Sequence, residues 1–149
     1  MSLKPQLHAA CAAFVQQRIE AAQAAMLTAQ ESANSETKSS AGDKYETGRA
    51  MAQEERNRNA VQLQQALQLQ GELTRINPAA PSDTVRPGAL VSTSLGRFYI
   101  SISAGKLTLE GQEYFAVSAA APVAVALGGR RAGEEVLFNG QKVRIVTIE

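Results

Sequence analysis

Ser39-Ser40-Ala41-Gly42-Asp43-Lys44-Tyr45-Glu46-Thr47-Gly48-Arg49 lies between two long segments rich in Ala, Gln, Glu and Arg. A polar link between two long helices is ordinarily only a turn. This one carries two carboxylates, Asp43 and Glu46, in a tip near residues 39–46. If the helices fold back on each other, those carboxylates ride on the end of a long probe. That geometry belongs to a protein that acts inside something else. The same spacing has a local reading too. Asp-x-x-Glu at a helix start is a capping-box-like arrangement that satisfies free backbone N–H groups. The two roles are compatible, because a capping carboxylate keeps free lone pairs.

Outward from the tip, both flanks read as helix. Val15, Ile19, Ala22, Met26, Ala29 and Ala33 recur at spacings of four and three, a heptad seam. Its small Ala residues permit close approach of a partner helix. Tyr45, Ala52, Leu63, Ala66 and Leu73 fall on a comparable stripe of the second segment. Glu54-Glu55-Arg56-Asn57-Arg58-Asn59 is polar all round and weakens the seam there. Helices over about 3–37 and 44–76, each roughly 45 Å long, are predicted to pair antiparallel, since short links favour antiparallel neighbours. A parallel coiled-coil dimer is the alternative.

The chain changes character near Asn77. Before it, Pro occurs only at Pro5 and Gly is rare; Pro78-Ala79-Ala80-Pro81-Ser82-Asp83 then breaks the helix. Short alternating runs follow. Ala89–Ser94 and Arg97–Ser103 read as strands about a turn at Leu95-Gly96, and Glu113–Ser118 as another. Pro122–Leu127 opens on Pro and stops before Gly128-Gly129, a short helix. Glu135–Phe138 and Gln141–Ile148 flank Asn139-Gly140, a strong hairpin signal. The expected class is α+β. A helical hairpin fills 1–77, a linker and first turn 78–88, and a small antiparallel sheet domain with one short helix 89–149.

Composition narrows the function. Residues 1–77 hold eight basic and eight acidic side chains, and residues 78–149 hold seven and six. Neither half is a polycation, so bulk charge gives no affinity for nucleic acid. Cys11 is the only cysteine, which excludes an intrachain disulfide and suits a reducing compartment. No apolar run reaches the roughly 18 residues of a membrane span. Met1 to Val15 reads as the start of a helix, not a signal peptide. A cytoplasmic protein is expected.

Other chemical candidates are weaker. His8 and Cys11 stand three apart and share a helix face, a spacing open to a nucleophile and its base. No Gly-rich elbow or second histidine accompanies them, so Cys11 reads as packing in the helical seam. Arg130-Arg131 reads as a solvated turn or as a contact to a macromolecular partner. Phe98, Tyr99, Tyr114, Phe115 and Phe138 supply the core and edge of the sheet.

The order of these pieces resembles the Gre transcript-cleavage factors (GreA/GreB-like proteins). At the tip that family has Gly-Asp-x-x-Glu, here Gly42-Asp43-Lys44-Tyr45-Glu46, followed by Ala52 and Gln53-Glu54-Glu55. Its sheet domain has a strand ending in Ser, then Pro, a short apolar helix and a Gly-rich turn. Here these are Val117-Ser118, Pro122, Leu127-Gly128-Gly129 and Gly133-Glu134-Glu135-Val136. The resemblance spans nearly the whole chain, carried by order and spacing.

The resemblance implies an FKBP-like C-terminal domain docked at the rim of the secondary channel of bacterial RNA polymerase. Ser118, Pro122, Arg130 and Arg131 would be partner-binding. It implies a hairpin inserted down that channel, reaching the nascent RNA indirectly. Asp43 and Glu46 would assist catalysis and share a Mg²⁺ ion only in the polymerase complex. The chain alone would be an accessory factor and not an enzyme, with no resident cofactor, small-molecule substrate or membrane. The FKBP-like shape carries no prolyl isomerase activity, since no aromatic-lined proline pocket can be read here. The sequence departs from the family where its usual Asn-Ala-Glu-Tyr is replaced by Thr47-Gly48-Arg49-Ala50. Over residues 34–49, Glu36, Asp43 and Glu46 are balanced by Lys38, Lys44 and Arg49. A neutral tip recruits Mg²⁺ less well than an acidic one. The runner-up is therefore a regulator that occupies the same channel, or another partner's groove, without promoting cleavage.

Overall fold

The computed structural model describes residues 3–38 and 42–149, without the side chains of 33 and 35–46. Two long helices, α1 (Lys4–Lys38) and α2 (Gly42–Thr74), form an N-terminal hairpin. A six-stranded sheet with one short helix follows. The chain divides into two compact units, residues 15–69 and residues 1–14 with 70–149.

In the helical unit the α1 seam follows the predicted spacing from Val15 to Ala29, and the Ala33 side chain lies outside the described residues. Val15, Ile19, Ala22 and Ala29 are buried and Met26 is half-buried. On α2 the inward stripe runs through Ala52, Arg56, Asn59, Leu63 and Ala66, again at spacings of four and three. Arg56 and Asn59 thus carry the stripe across the segment where the sequence offers no apolar residue. The Nδ2 of Asn59 is buried and has no hydrogen-bond partner among the described residues. Leaving such a group unpaired costs about 1–3 kcal/mol.

In the other unit the strands are β1 (Leu90–Thr93), β2 (Gly96–Ser101), β3 (Gly105–Leu109), β4 (Gln112–Ser118), β5 (Glu135–Phe138) and β6 (Gln141–Ile148). Their spatial order is β3-β4-β2-β1-β6-β5. The sheet is mixed, whereas an antiparallel sheet was expected. β2 and β4 run parallel, with Phe98 opposite Phe115 and Ser101 opposite Ser118. The inserted strand β3 makes this possible, because it reverses the chain outside β4 and leaves β4 free to pair with β2.

Strand β3 has no counterpart in the sequence reading. It opens on Gly105 and turns into β4 through Glu110-Gly111, where φ is 51° and 77°. Asn139-Gly140 has the same left-handed pair, 51° and 77°. Such two-residue turns favour Asn or Asp before Gly, so only the second announced itself.

Period-2 alternation gives the sheet two buried faces. On one, Ala124 and Leu127 of α3 (Pro122–Leu127) join a cluster with Val91, Phe98, Ile100, Val143 and Ile145. A bulge in β6 maintains it. Ser92 pairs with Thr147 but Thr93 with Ile145, so the extra residue Val146 stays exposed while Ile145 and Ile148 both face the cluster. On the other face, Leu90, Tyr99, Ser101 and Ala116 are buried. The first turns of α1 reach this face through His8 and Cys11, which contact Tyr99 and Ser101.

Candidate functional site

Asp43 and Glu46 lie in the opening turns of α2, which begins at Gly42. Asp43 therefore stands inside the helix instead of ahead of it. A carboxylate there complements the positive end of the helix dipole, an effect of about 0.3–1 kcal/mol. The link 39–41 and the side chains of Asp43 and Glu46 lie outside the described residues, so the expected metal contacts do too. Thr47, Arg49 and Ala50, in the positions that depart from the Gre pattern, are exposed.

The four sheet-domain candidates flank one short helix. Ser118 ends β4, and its carbonyl accepts from the Ala121 amide at 3.0 Å. This turn delivers Pro122 to the first position of α3, where a missing N–H costs nothing. Beyond α3, Gly129 adopts φ 75° and its amide donates to Val85 O at 2.9 Å. The Val85 amide in turn donates to Arg130 O at 2.9 Å, and Arg131 bridges Thr84. The Arg131 amide donates to Glu134 Oε2 at 2.8 Å. Ser118 and Pro122 thus sit before the helix, and Arg130 and Arg131 after it. Val125 between them is 66% exposed. Arg130 and Arg131, which follow it, are exposed too; nothing in this group is arranged for proton transfer or nucleophilic attack.

The nucleophile reading of His8 and Cys11 has no geometric support. His8 Nδ1 lies 2.9 Å from the Tyr99 hydroxyl, and Cys11 Sγ lies 3.7 Å from Ser101 Oγ. Each binds the sheet and not the other. Burial pushes the Cys11 thiol pKa up, outweighing the opposing bond from Ser101, and burial pushes that of His8 down. A thiol held neutral beside no base is packing. Its partner is the sheet, not a second helix.

Sequence reasoning missed Lys4. It is 2% exposed and its Nζ donates to Ala80 O at 2.6 Å. Burial lowers its pKa, Glu149 opposes that shift and Arg86 adds to it. Lys4, Pro5, Pro78, Pro81 and Ile148 border a half-open groove beside Glu149. Only the break at Pro78–Pro81 hinted at it. Among the described residues no group of three His, Cys, Asp or Glu could hold a metal ion. No described helix is long and apolar enough to cross a membrane.

No family model matches the chain, and no curated protein does. The chain is similar to the crystal structure of GreA factor homolog 1 (Gfh1) protein of Thermus thermophilus. That match has 20% identity, covers 91% of this chain and 92% of the other, and has a TM-score of 0.36. A second structure, of the transcription factor Gfh1, matches at 19% identity over 91% of this chain and 90% of that one, with a TM-score of 0.35.

Proposed function

We propose that this chain is a Gre-like transcription elongation factor that enters the secondary channel of bacterial RNA polymerase with its helical hairpin and promotes cleavage of backtracked RNA. The observation that carries the reading is the placement of Gly42-Asp43-x-x-Glu46. It opens the second of two long helices, immediately after a three-residue link. A domain of the expected order follows, with Ser118 ending a strand, Pro122 starting a helix and Gly128-Gly129 ending it. The surface around Ser118–Gly129, with Arg130 and Arg131, is the proposed docking face.

Asp43 and Glu46 are three apart on α2 and so share a helix face. Two carboxylates supply the hard oxygens that Mg²⁺ takes, but not a complete ligand set. They fit an ion shared with the polymerase and not one resident in this chain. A second Mg²⁺ there would serve two-metal hydrolysis, with one ion at the attacking water and one at the leaving oxygen. This chain's part is to deliver the carboxylates along the hairpin. The cleaving site remains the polymerase's.

The test is RNA cleavage in purified backtracked complexes. Asp43→Asn keeps a side chain suited to helix starts but removes a negative ligand. The expected result is unchanged polymerase binding with reduced release of 3′ fragments, partly restored by raising Mg²⁺. Glu46→Gln should act likewise and more weakly. The neutral balance of Glu36, Asp43 and Glu46 against Lys38, Lys44 and Arg49 favours a second reading, a channel regulator that does not cleave. Wild-type protein that binds polymerase yet stimulates no cleavage at any Mg²⁺ concentration would establish that reading and defeat the first. Failure to bind polymerase would defeat both.

A further inference from the structure

Where α2 ends, the sheet unit holds a concavity of about 240 Å³ bordered by Arg75, Ile76, Asn77, Ser82, Arg86 and Gly88. No carboxylate side chain borders it. Arg75 follows the last residue of α2, and its amide still donates to Glu72 O at 3.3 Å. A cation there complements the carbonyl end of the helix. Its guanidinium nevertheless has no hydrogen-bond or ion-pair partner among the described residues.

Arg86 reaches the same concavity already oriented. Its Nε donates to Ser82 Oγ at 3.2 Å and its Nη2 to Pro81 O at 2.9 Å. Three of a guanidinium's five N–H donors then stay uncommitted. Ser82 accepts from Arg86, so its own hydroxyl proton is available to donate. Asn77 Oδ1 accepts from the Ala79 amide at 3.0 Å, which fixes the side-chain amide and leaves its NH₂ group free to donate. Every side-chain polar group bordering the space is thus a donor with capacity to spare. Two of them are guanidiniums, whose fork matches phosphate oxygens two at a time.

We propose that Arg75 and Arg86 hold the phosphate of a small phosphate-bearing molecule, with Ser82 and Asn77 as neutral donors and Ile76 as the apolar wall for its organic part. The volume limits the ligand. It lies below the roughly 300–1,000 Å³ typical of small-molecule sites, which suits a phosphate on a short body and not a dinucleotide. The proposal stands independently of the polymerase reading.

The test titrates the full chain with inorganic phosphate and pyrophosphate at constant ionic strength, following arginine Nε–H and the Asn77 and Gly88 amides by NMR. Saturable shifts on Arg75 and Arg86 are expected. Arg75→Gln should weaken binding about tenfold or more, with at most a small fall in thermal midpoint, because only the charge interaction with the helix end is lost. Arg86→Lys keeps the charge but not the fork, and should weaken binding as well. Shifts that never saturate, or that chloride reproduces, would overturn the proposal. So would full affinity in both variants. Binding of a single-stranded oligonucleotide with no response to phosphate or pyrophosphate would place nucleic acid in the groove and also defeat it.

Discussion

Tyr99→Phe isolates one of the two polar contacts that the first turns of α1 make with the sheet, His8 to Tyr99 beside Cys11 to Ser101. Tyr99 is fully buried on β2, between Leu90 of β1 and Ala116 of β4. Its ring meets His8 edge-on, with centroids 6.2 Å apart at 75°. Phenylalanine keeps the ring, its burial and that edge contact. Only the hydroxyl goes, leaving His8 Nδ1 without its 2.9 Å partner. A net hydrogen bond contributes about 0.5–1.5 kcal/mol, and stranding a buried partner costs about 1–3. His8 is only half-buried, so water relieves part of that cost, and a loss of about 1–2 kcal/mol is expected. For a unit of this size each kcal/mol lowers the midpoint by about 4–8 °C. Urea unfolding followed by tyrosine fluorescence measures it, with Tyr114 as the remaining reporter in the same unit. The prediction is a lower urea midpoint at unchanged slope. A variant at least as stable as wild type would show that the contact stabilises nothing.

The same pair sets a pH dependence. Burial lowers the His8 pKa from 6.5 in the folded chain. Between the folded value and 6.5 the unfolded chain binds more protons, so stability rises with pH there. It is full above pH 6.5 and declines as pH falls toward the folded value. Tyr99→Phe should keep this slope, because burial causes it, and His8→Gln should remove it. An identical slope in His8→Gln would assign the titration to another group.

Two further substitutions test the packing account. Asn59→Leu replaces the unpartnered buried Nδ2 on the α2 stripe with an apolar side chain of better helix propensity. It should stabilise the helical unit by about 1–2 kcal/mol, read as a higher far-ultraviolet melting midpoint; a lower midpoint would mean that Asn59 is satisfied in solution. Gly88→Ala forces a side chain onto φ 93°, with its Cβ 3.2 Å from Ile76 Cγ2 and the Gly88 amide still bound to Ile100 O at 2.7 Å. A loss on the order of 1–3 kcal/mol is expected by urea titration, and a neutral result would show that this turn relaxes freely.

What the sequence displayed was local chemistry. Val15 to Ala29 repeat at four and three because one helix face is buried, and that period survives without knowing the partner. For the same reason it could not say what Leu7 and Cys11 pack against. They continue the spacing of four into Val15, yet they belong with the sheet unit, where Cys11 meets Ser101. The hairpin of β5 and β6 was legible because Asn139-Gly140 names its turn. The parallel pairing of β2 with β4 was not, because it depends on where β3 goes, and Glu110-Gly111 gives a weak turn signal. The bulge at Val146 was hidden as well, since an apolar residue turned to solvent looks like core.

The candidate sites divide along the same line. Asp43 and Glu46 could be singled out because their spacing within one helix is itself the signal. Arg75 and Arg86 could not, because a proline-rich turn separates them and only the folded chain brings them to one concavity. Local spacing also shows what the tip lacks. Lys44 stands between the two carboxylates in sequence and Arg49 follows one turn later. Exposed charges within a Debye length of about 8 Å feel one another at physiological salt. Each cation therefore reduces the attraction that the carboxylate pair exerts on a divalent ion, and an ion shared with a partner must draw more of its binding from that partner's ligands. On the proposed cleavage reading, the tip would therefore need more Mg²⁺ than an all-acidic one. The Mg²⁺ dependence of cleavage, more than its presence at one concentration, separates a cleaving factor with a weak tip from a regulator that only occupies the channel.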